Sequence, residues 1–143
     1  MARRQWSAGN WRSGSPRLRP RVLVESSDAV EQWAMEEALR DAGYEVAVCD
    51  GPDVYGSPCP LAQGGECALA AGADAVVNGF ALGVPENRDV IRALQECCPE
   101  TPVIVGARRH EVDRYADLLD GCQIMPFWVN TAGLVSAVRE VLP

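Results

Sequence analysis

The sequence predicts a three-layer α/β/α sandwich built around a parallel sheet of five strands. Short apolar runs recur five times along the 143 residues, and a segment with helical spacing follows each of them. Connections of that length bring successive strands into a sheet in parallel, with right-handed crossovers. The apolar content of 48% and the charged content of 23% are typical of one globular domain of ordinary size.

Five short runs are predicted to be strands. The first, Val22-Leu23-Val24, is short and continuously apolar, which is typical of a strand that is covered on both faces. The predicted strands cover residues 22–24, 46–48, 75–77, 103–105 and 123–125. The commonest small sheet of this kind has the flavodoxin-like strand order 2-1-3-4-5, and its ligands bind at the carboxyl ends of the strands, beside the switch between strands one and three.

Helical spacing is regular in the first of five predicted helices. Val30, Ala34 and Ala38 recur every fourth residue after Asp28, which is a good N-cap, and Gly43 stands where a glycine commonly ends a helix. Asn130 or Thr131 is expected to cap the last helix. The five predicted helices cover residues 28–42, 61–72, 86–98, 109–119 and 131–142.

Residues 1–20 are predicted to be a disordered basic tail, and residues 21–143 the folded domain. The tail is rich in Gly, Ser and Pro and holds five arginines but no acid. Trp6 and Trp11 are unusual in such a segment, so the tail is a candidate contact with a partner or an anionic surface. The alternative is a solvated extension, or a start codon assigned too early.

The rest of the chain is acidic, because it holds all twenty acids and only eight of the thirteen basic residues. An acidic surface repels a phosphate backbone, which argues against nucleic-acid binding through the domain. The sequence has no apolar run near the length of about 20 residues that a membrane-spanning helix needs. No apolar segment follows the N-terminal arginines, as it would in a secretory signal. We therefore expect a cytoplasmic protein.

Four stretches, in their order and spacing, resemble response-regulator receiver domains, the CheY-like family. They are VLVESSDAVEQWAMEEALRDAGYEV, ADAVVNGFALGVPENRDVIRAL, TPVIVGA and IMPFWVNTAGLVSAVREVL. The Gly43-Tyr44 pair, the Pro-Val opening of the fourth strand and the Pro126-Phe127 pair match the family pattern. The likeness runs from residue 21 to about residue 142, and it implies a role in signal transduction.

The resemblance also implies positions for the residues of phosphoryl transfer, and the sequence departs from the family there. Receivers carry two Mg²⁺-binding acids after the first strand and a phospho-accepting aspartate at the end of the third. They carry Ser or Thr after the fourth strand and a lysine after the fifth. These positions fall on Ser26 and Ser27, on Asn78 or Gly79, on Ala107 with Gly106 just before it, and on Met125.

These replacements remove the groups that phosphoryl transfer needs. The reaction depends on positioning and on neutralising charge, and Mg²⁺ is normally held through carboxylates. Serines do not supply that charge, and neither asparagine nor glycine forms an acyl phosphate. Glu25 and Asp28 are nearby acids, but Glu25 is expected on the opposite side of the first strand from Ser26. We predict a degenerate pseudo-receiver: a non-enzymatic, phosphorylation-independent module for protein interaction, without a cofactor.

The predicted partner surface is the face of the fourth helix, fifth strand and fifth helix, which receivers use for dimers and partners. Arginines at a helix N-terminus oppose the helix dipole by a few tenths of a kcal/mol, which is explained by an external contact or, equally, by chance in an otherwise acidic surface. Half-buried packing is an equal alternative for the tryptophan of this face. The candidate residues are Arg108, Arg109, Tyr115, Phe127 and Trp128.

Six cysteines raise an alternative on the same fold, a metal-binding or thiol-redox protein. Cys49 should end the second strand, and Cys59 and Cys67 lie in and after the loop that follows, so three thiols are expected to gather at one corner of the sheet. Their spacing is not that of a zinc knuckle, and small buried side chains are the competing interpretation. Cys98 and Cys122 are expected to pack in this way, and Cys97 is expected to flank the apolar face of the third helix.

A third hypothesis is a flavodoxin-like enzyme that binds a small ligand at the strand ends. Gly79, Gly83 and Gly106 lie at predicted strand ends, but no G-x-G-x-x-G or Walker pattern accompanies them. Turn geometry explains these glycines more simply.

Overall fold

The computed structural model describes residues 11, 18–52, 59–126 and 130–142. It contains the predicted parallel sheet, with the strand order β2-β1-β3-β4-β5. All residues of the three central strands are buried, as continuous apolar runs predict. The strands are β1 (Arg21–Glu25), β2 (Glu45–Cys49), β3 (Ala75–Asn78), β4 (Val103–Ala107) and β5 (Gln123–Pro126).

Helices follow the strands as predicted, but two of the predicted helices are divided. Residues 61–72 form a 3₁₀ helix (Leu61–Gln63) and a separate short helix, because Gly64 adopts a left-handed conformation with φ of +80°. Residues 109–119 form two short helices that meet at Tyr115. The α-helices of the described residues are α1 (Ala29–Asp41), α2 (Ala68–Ala71), α3 (Pro85–Cys97), α4 (Arg109–Arg114), α5 (Ala116–Leu119) and α6 (Thr131–Val141).

The first helix has the N-cap that the sequence predicts, and the last helix uses Asn130, one of the two residues that the sequence offers. The Asp28 side chain accepts a hydrogen bond of 2.9 Å from the backbone N–H of Glu31, at the start of α1. The Asn130 side chain accepts one of 2.8 Å from the backbone N–H of Gly133, at the start of α6. Both caps satisfy helix donors that have no partner within the helix.

The buried face of α1 differs from the prediction. Met35 and Leu39 are buried together with Gln32, whereas Val30 is 77% exposed. Gln32 is tolerated inside because its amide donates to the backbone oxygen of Ser26 at 3.0 Å and to Asp50 at 2.9 Å. The face of α1 that packs on the sheet is therefore set by Gln32, Met35 and Leu39. The spacing of Val30, Ala34 and Ala38 does not predict it.

Two hydrophobic cores lie on opposite faces of the sheet, because side chains alternate along each strand. One core is packed under α3, and the other under α1 and α6. The first includes Leu23, Val76, Val105, Ile91 and Leu94, and the second includes Val24, Val77, Ile104, Met35, Leu39 and Leu134.

The register of the sheet brings three strand ends together. Glu25, the last residue of β1, is aligned with Cys49 of β2 on one side and with Asn78 of β3 on the other. The backbone N–H of Gly79, just after β3, donates to the backbone oxygen of Glu25 at 2.7 Å. The edge that sequence analysis predicts for ligand binding is therefore formed by polar residues of β1 and β3.

Trp11 corrects part of the prediction for the N-terminal tail. Its side chain is only 3% exposed and belongs to the core under α3. Its indole N–H donates to the backbone oxygen of Leu69 at 3.2 Å, and the Arg21 guanidinium lies 5.6 Å from the ring centroid. This residue is part of the folded domain. Most of residues 1–20, including Trp6, lies outside the described residues, so the disorder of the tail stays a prediction.

Gly72 packs directly against the indole of Trp11, with no room for a side chain. A Cβ atom at position 72 would lie 2.6 Å from Trp11 Nε1 and 2.8 Å from Trp11 Cδ1. We expect Gly72→Ala to lower the free energy of unfolding by about 1–3 kcal/mol through overpacking. The measurement is urea denaturation in a double-mutant cycle with Trp11→Ala. The cost of Gly72→Ala should disappear in the Trp11→Ala background, and an equal cost in both backgrounds would contradict the contact.

None of the helices in the described part of the chain is long and apolar enough to cross a membrane. The expected cytoplasmic location stays a prediction.

Candidate functional site

A groove opens at the carboxyl ends of β3, β4 and β5, between α1 and α6. It encloses about 330 Å³. Ala34 and Met35 of α1 and Leu134 of α6 give it apolar walls. This is the edge of the sheet at which folds of this kind bind ligands.

The end of the groove nearest the sheet is formed by residues that carry no charge. Gly79 follows β3, Gly106 lies in β4 and Met125 lies in β5, and all three line the groove. A Cβ atom at Gly106 would be 3.8 Å from Met125 Cε, so these two residues are neighbours. At the carboxyl ends of β3, β4 and β5, these three residues therefore offer two glycine backbones and a thioether.

Two carboxylates of the α1 N-terminus border the same groove. Asp28 caps the helix, and Glu31 reaches across so that its Oε1 lies 2.9 Å from where a Cβ atom at Gly79 would stand. Partial burial, and secondarily the charge of Asp28, raises the pKa of Glu31 above its ordinary value. A side chain at position 79 would have to displace Glu31, so the glycine keeps this carboxylate over the strand end.

Of the two serines after β1, Ser26 stabilises the turn that leads into α1. The Ser26 hydroxyl accepts a hydrogen bond of 3.2 Å from the backbone N–H of Asp28, and the residue is 1% exposed. Ser27 is exposed. Local hydrogen bonds of this kind are typical of serine in a turn that precedes a helix.

Asn78 and Ala107 face the opposite side of the sheet from the groove. The Asn78 amide donates to Glu25 Oε1 at 3.0 Å, and its oxygen accepts a bond of 3.3 Å from the backbone N–H of Phe80. Ala107 packs in the core under α3. Of the six residues predicted for the vestigial pocket, the groove contains Gly79 and Met125, and Gly106 takes the place expected for Ala107.

Glu25 is a buried acid that sequence analysis did not single out as a site. Its side chain is 2% exposed on the face that also carries Leu23 and Cys49. Burial raises the pKa of Glu25 to about 7, and the hydrogen bond from Asn78 opposes that rise. The signal in the sequence was an acid at the end of an apolar strand, two residues after a core leucine.

The predicted gathering of three thiols is present in the structure. Cys49, Cys59 and Cys67 line one cavity on the Glu25 side of the sheet. Burial, and secondarily the charge of Glu25, raises the pKa of the Cys49 thiol to about 12, and burial also raises the pKa of Cys67. Protonated thiols are poor nucleophiles and poor metal ligands.

Within the described ranges, no group of three or more His, Cys, Asp or Glu side chains is arranged to hold a metal ion. The cysteine-based metal site is therefore not supported, and the thiol-redox alternative stays a prediction. The remaining cysteines lie elsewhere: Cys98 and Cys122 pack against the core under α3, and Cys97 is exposed.

The predicted partner face is described in part. Arg108 and Arg109 are exposed at the start of α4. The half-buried Tyr115 ring has the guanidinium of Arg88 5.1 Å from its centroid and that of Arg114 at 5.6 Å. Phe127 and Trp128 lie outside the described residues. The structure thus places two exposed arginines at the start of α4 and two guanidinium groups, one of them from α3, around the Tyr115 ring at its end.

Solved structures that resemble this chain include response-regulator receiver domains. Chemotaxis protein CheY4 of Vibrio cholerae matches with a TM-score of 0.63 and 15% identity, over 87% of this chain and 99% of that chain. A receiver domain protein of Clostridium thermocellum matches with a TM-score of 0.65 and 14% identity, over 86% and 94%. The receiver domain of DrrB, a Thermotoga maritima protein, matches in its BeF₃-activated form with a TM-score of 0.64 and 17% identity, over 87% and 98%.

These comparisons show that the chain has the CheY-like, flavodoxin-like fold with the sheet order that the sequence predicts. No protein-family model matches the sequence. No curated protein matches it either.

Proposed function

We propose that this chain is a regulatory protein-interaction module on the receiver fold that acts without being phosphorylated. The observation that carries the proposal is the groove at the ends of β3, β4 and β5. Gly79, Gly106 and Met125 line it there, where a receiver requires a nucleophilic acid, a hydroxyl and a cation. Phosphoryl transfer depends on positioned groups and on neutralising charge, and none of these three residues supplies such a group.

The hydrogen bonds of the neighbouring residues support the same proposal. The Asn78 amide donates to Glu25, and its oxygen accepts from the backbone N–H of Phe80, on the side of the sheet away from the groove. The Ser26 hydroxyl is engaged with Asp28. Asp28 and Glu31 remain as two acids near the groove, and partial burial, with the charge of Asp28 as the smaller cause, raises the pKa of Glu31.

The direct test is incubation with acetyl phosphate and Mg²⁺, followed by intact-protein mass spectrometry and by NMR with beryllofluoride. We expect no mass gain of a phosphoryl group and no beryllofluoride-dependent shift of the Gly79 and Gly106 amides. The DrrB receiver domain, whose activation by BeF₃ is recorded, is the positive control. A covalent phosphate on any acid of this chain would refute the proposal.

The interaction half of the proposal rests on the exposed arginines of α4. Arg108 and Arg109 are exposed at the start of α4 and oppose its helix dipole, an arrangement suited to an acidic partner surface. A photocrosslinking amino acid at position 109 is expected to capture a protein, either a second copy or another chain. The matched control is position 92, whose arginine is 55% exposed on α3. Equal capture at positions 109 and 92 would contradict the proposal that α4 forms the partner surface.

A further inference from the structure

A second cavity lies on the opposite side of the sheet from the groove. It encloses about 280 Å³ between the ends of β1 and β2 and the segment of residues 59–69. Leu23, Leu61 and Leu69 contribute buried apolar surface, while Pro60 and Glu66 are exposed residues of its lining. The cavity therefore has an apolar interior and reaches the protein surface.

Among the described residues, one carboxylate oxygen of this lining has no hydrogen-bond donor. Glu25 is 2% exposed, and its Oε1 accepts the hydrogen bond from Asn78. Within the part of the chain that the structure describes, its Oε2 receives no hydrogen bond. Leaving a buried acceptor of this kind unsatisfied is costly, and a ligand donor in the cavity would remove that cost.

The charges around the cavity select the sign of such a ligand. Glu25 and Glu66 are the charged residues of the described lining, and both are acids. A ligand carboxylate or phosphate would meet like charge in a poorly solvated place. An ammonium group would form a charge-assisted hydrogen bond, which is roughly twice as strong as a neutral one.

We propose that this cavity is a binding site for a small apolar amine, whose ammonium group donates to Glu25 Oε2 while its hydrocarbon part lies against the leucines and thiols. The volume is just below the range of about 300–1,000 Å³ for sites that take drug-sized ligands. The ligand is therefore of the size of a single ring or a short alkyl chain. This site is independent of the proposed interaction role.

The probe for the test is benzylamine, titrated at pH 8 into uniformly ¹⁵N,¹³C-labelled full-length protein and followed by NMR. Benzyl alcohol and benzoate have the same ring with a neutral or a negative head. We expect saturable shifts of the Leu23 and Leu69 methyl signals with benzylamine, at an affinity about tenfold higher than that of benzyl alcohol, a difference expected for a charged hydrogen bond. Benzoate is expected not to bind.

Two variants, with one control, test the contact of the ammonium group with Glu25 and the location of the ligand in the cavity separately. Glu25→Gln should reduce the benzylamine affinity to that of benzyl alcohol, and Glu96→Gln, an exposed acid of α3, should leave it unchanged. Ala68→Phe places a ring at the cavity from an exposed position, so it should abolish binding of both neutral and cationic probes without disturbing the core. The proposal is overturned if benzylamine does not shift these signals in the wild type. It is equally overturned if benzylamine binds Glu25→Gln or Ala68→Phe as tightly as the wild type.

Discussion

Replacing Trp11 with alanine is expected to lower the free energy of unfolding by about 3–5 kcal/mol, the usual cost of truncating a large buried aromatic side chain. The side chain is 3% exposed, and its N–H donates to the backbone of Leu69. Its removal also deprives the nearly buried Arg21 of the ring beside its guanidinium. An N-terminal residue thus stabilises the packing of α2 on the sheet.

Urea denaturation of the full-length protein measures this effect. Trp33→Ala is the matched control, because Trp33 is 62% exposed on α1. The control is expected to change the free energy of unfolding by no more than about 0.5 kcal/mol, as surface substitutions usually do. A loss below about 1 kcal/mol for Trp11→Ala would mean that the tryptophan does not belong to the core, and the tail prediction would then stand for this residue as well.

The second large effect is the pH dependence that Glu25 gives to stability. Burial raises its pKa from 4.5 to about 7 in the folded chain. Between those two pH values the unfolded chain loses the proton while the folded chain keeps it. The folded state therefore loses stability as the pH rises through this window, by about 3 kcal/mol in total, and no further change comes from this group above it.

Glu25→Gln removes the titration and keeps a side chain of similar shape. The free energy of unfolding of the variant minus that of the wild type should therefore rise by about 3 kcal/mol between pH 4.5 and pH 8. Urea denaturation at several pH values gives this difference directly. For Glu96→Gln on the surface of α3, the same difference should vary by less than about 0.5 kcal/mol. A flat difference for Glu25→Gln would show that Glu25 is not buried as an acid.

The two faces of the sheet have separate chemical characters at the same edge. The face toward α1 and α6 carries Gly79, Gly106 and Met125 in a groove with acids at its border. The face toward α2 carries Glu25 and Asn78, joined by a hydrogen bond beside the thiols. Alternation along the strands separates these sets, so residues adjacent in sequence, such as Asn78 and Gly79, serve different cavities.

The alternation also explains which site residues were predictable. Sequence reasoning left the acceptor position open between Asn78 and Gly79, and it assigned the position after β4 to Ala107. The spacing of motifs is too coarse to fix the face on which a strand residue lies, since a shift of one residue moves the side chain to the other face. The register of β1, β3 and β4 in the folded sheet decides between them.

By itself the sequence determined the architecture: five strands, their parallel order, the cap Asp28, and the choice of Asn130 or Thr131 as the last cap. These features depend on local apolar runs and on capping hydrogen bonds between near neighbours. Only the tertiary structure decided that Trp11 is in the core, that α1 buries Gln32 in place of Val30, and that Glu25 meets Asn78 inside the protein. The contacts of Trp11 and Glu25 join residues more than fifty positions apart, and no periodicity within one element encodes them.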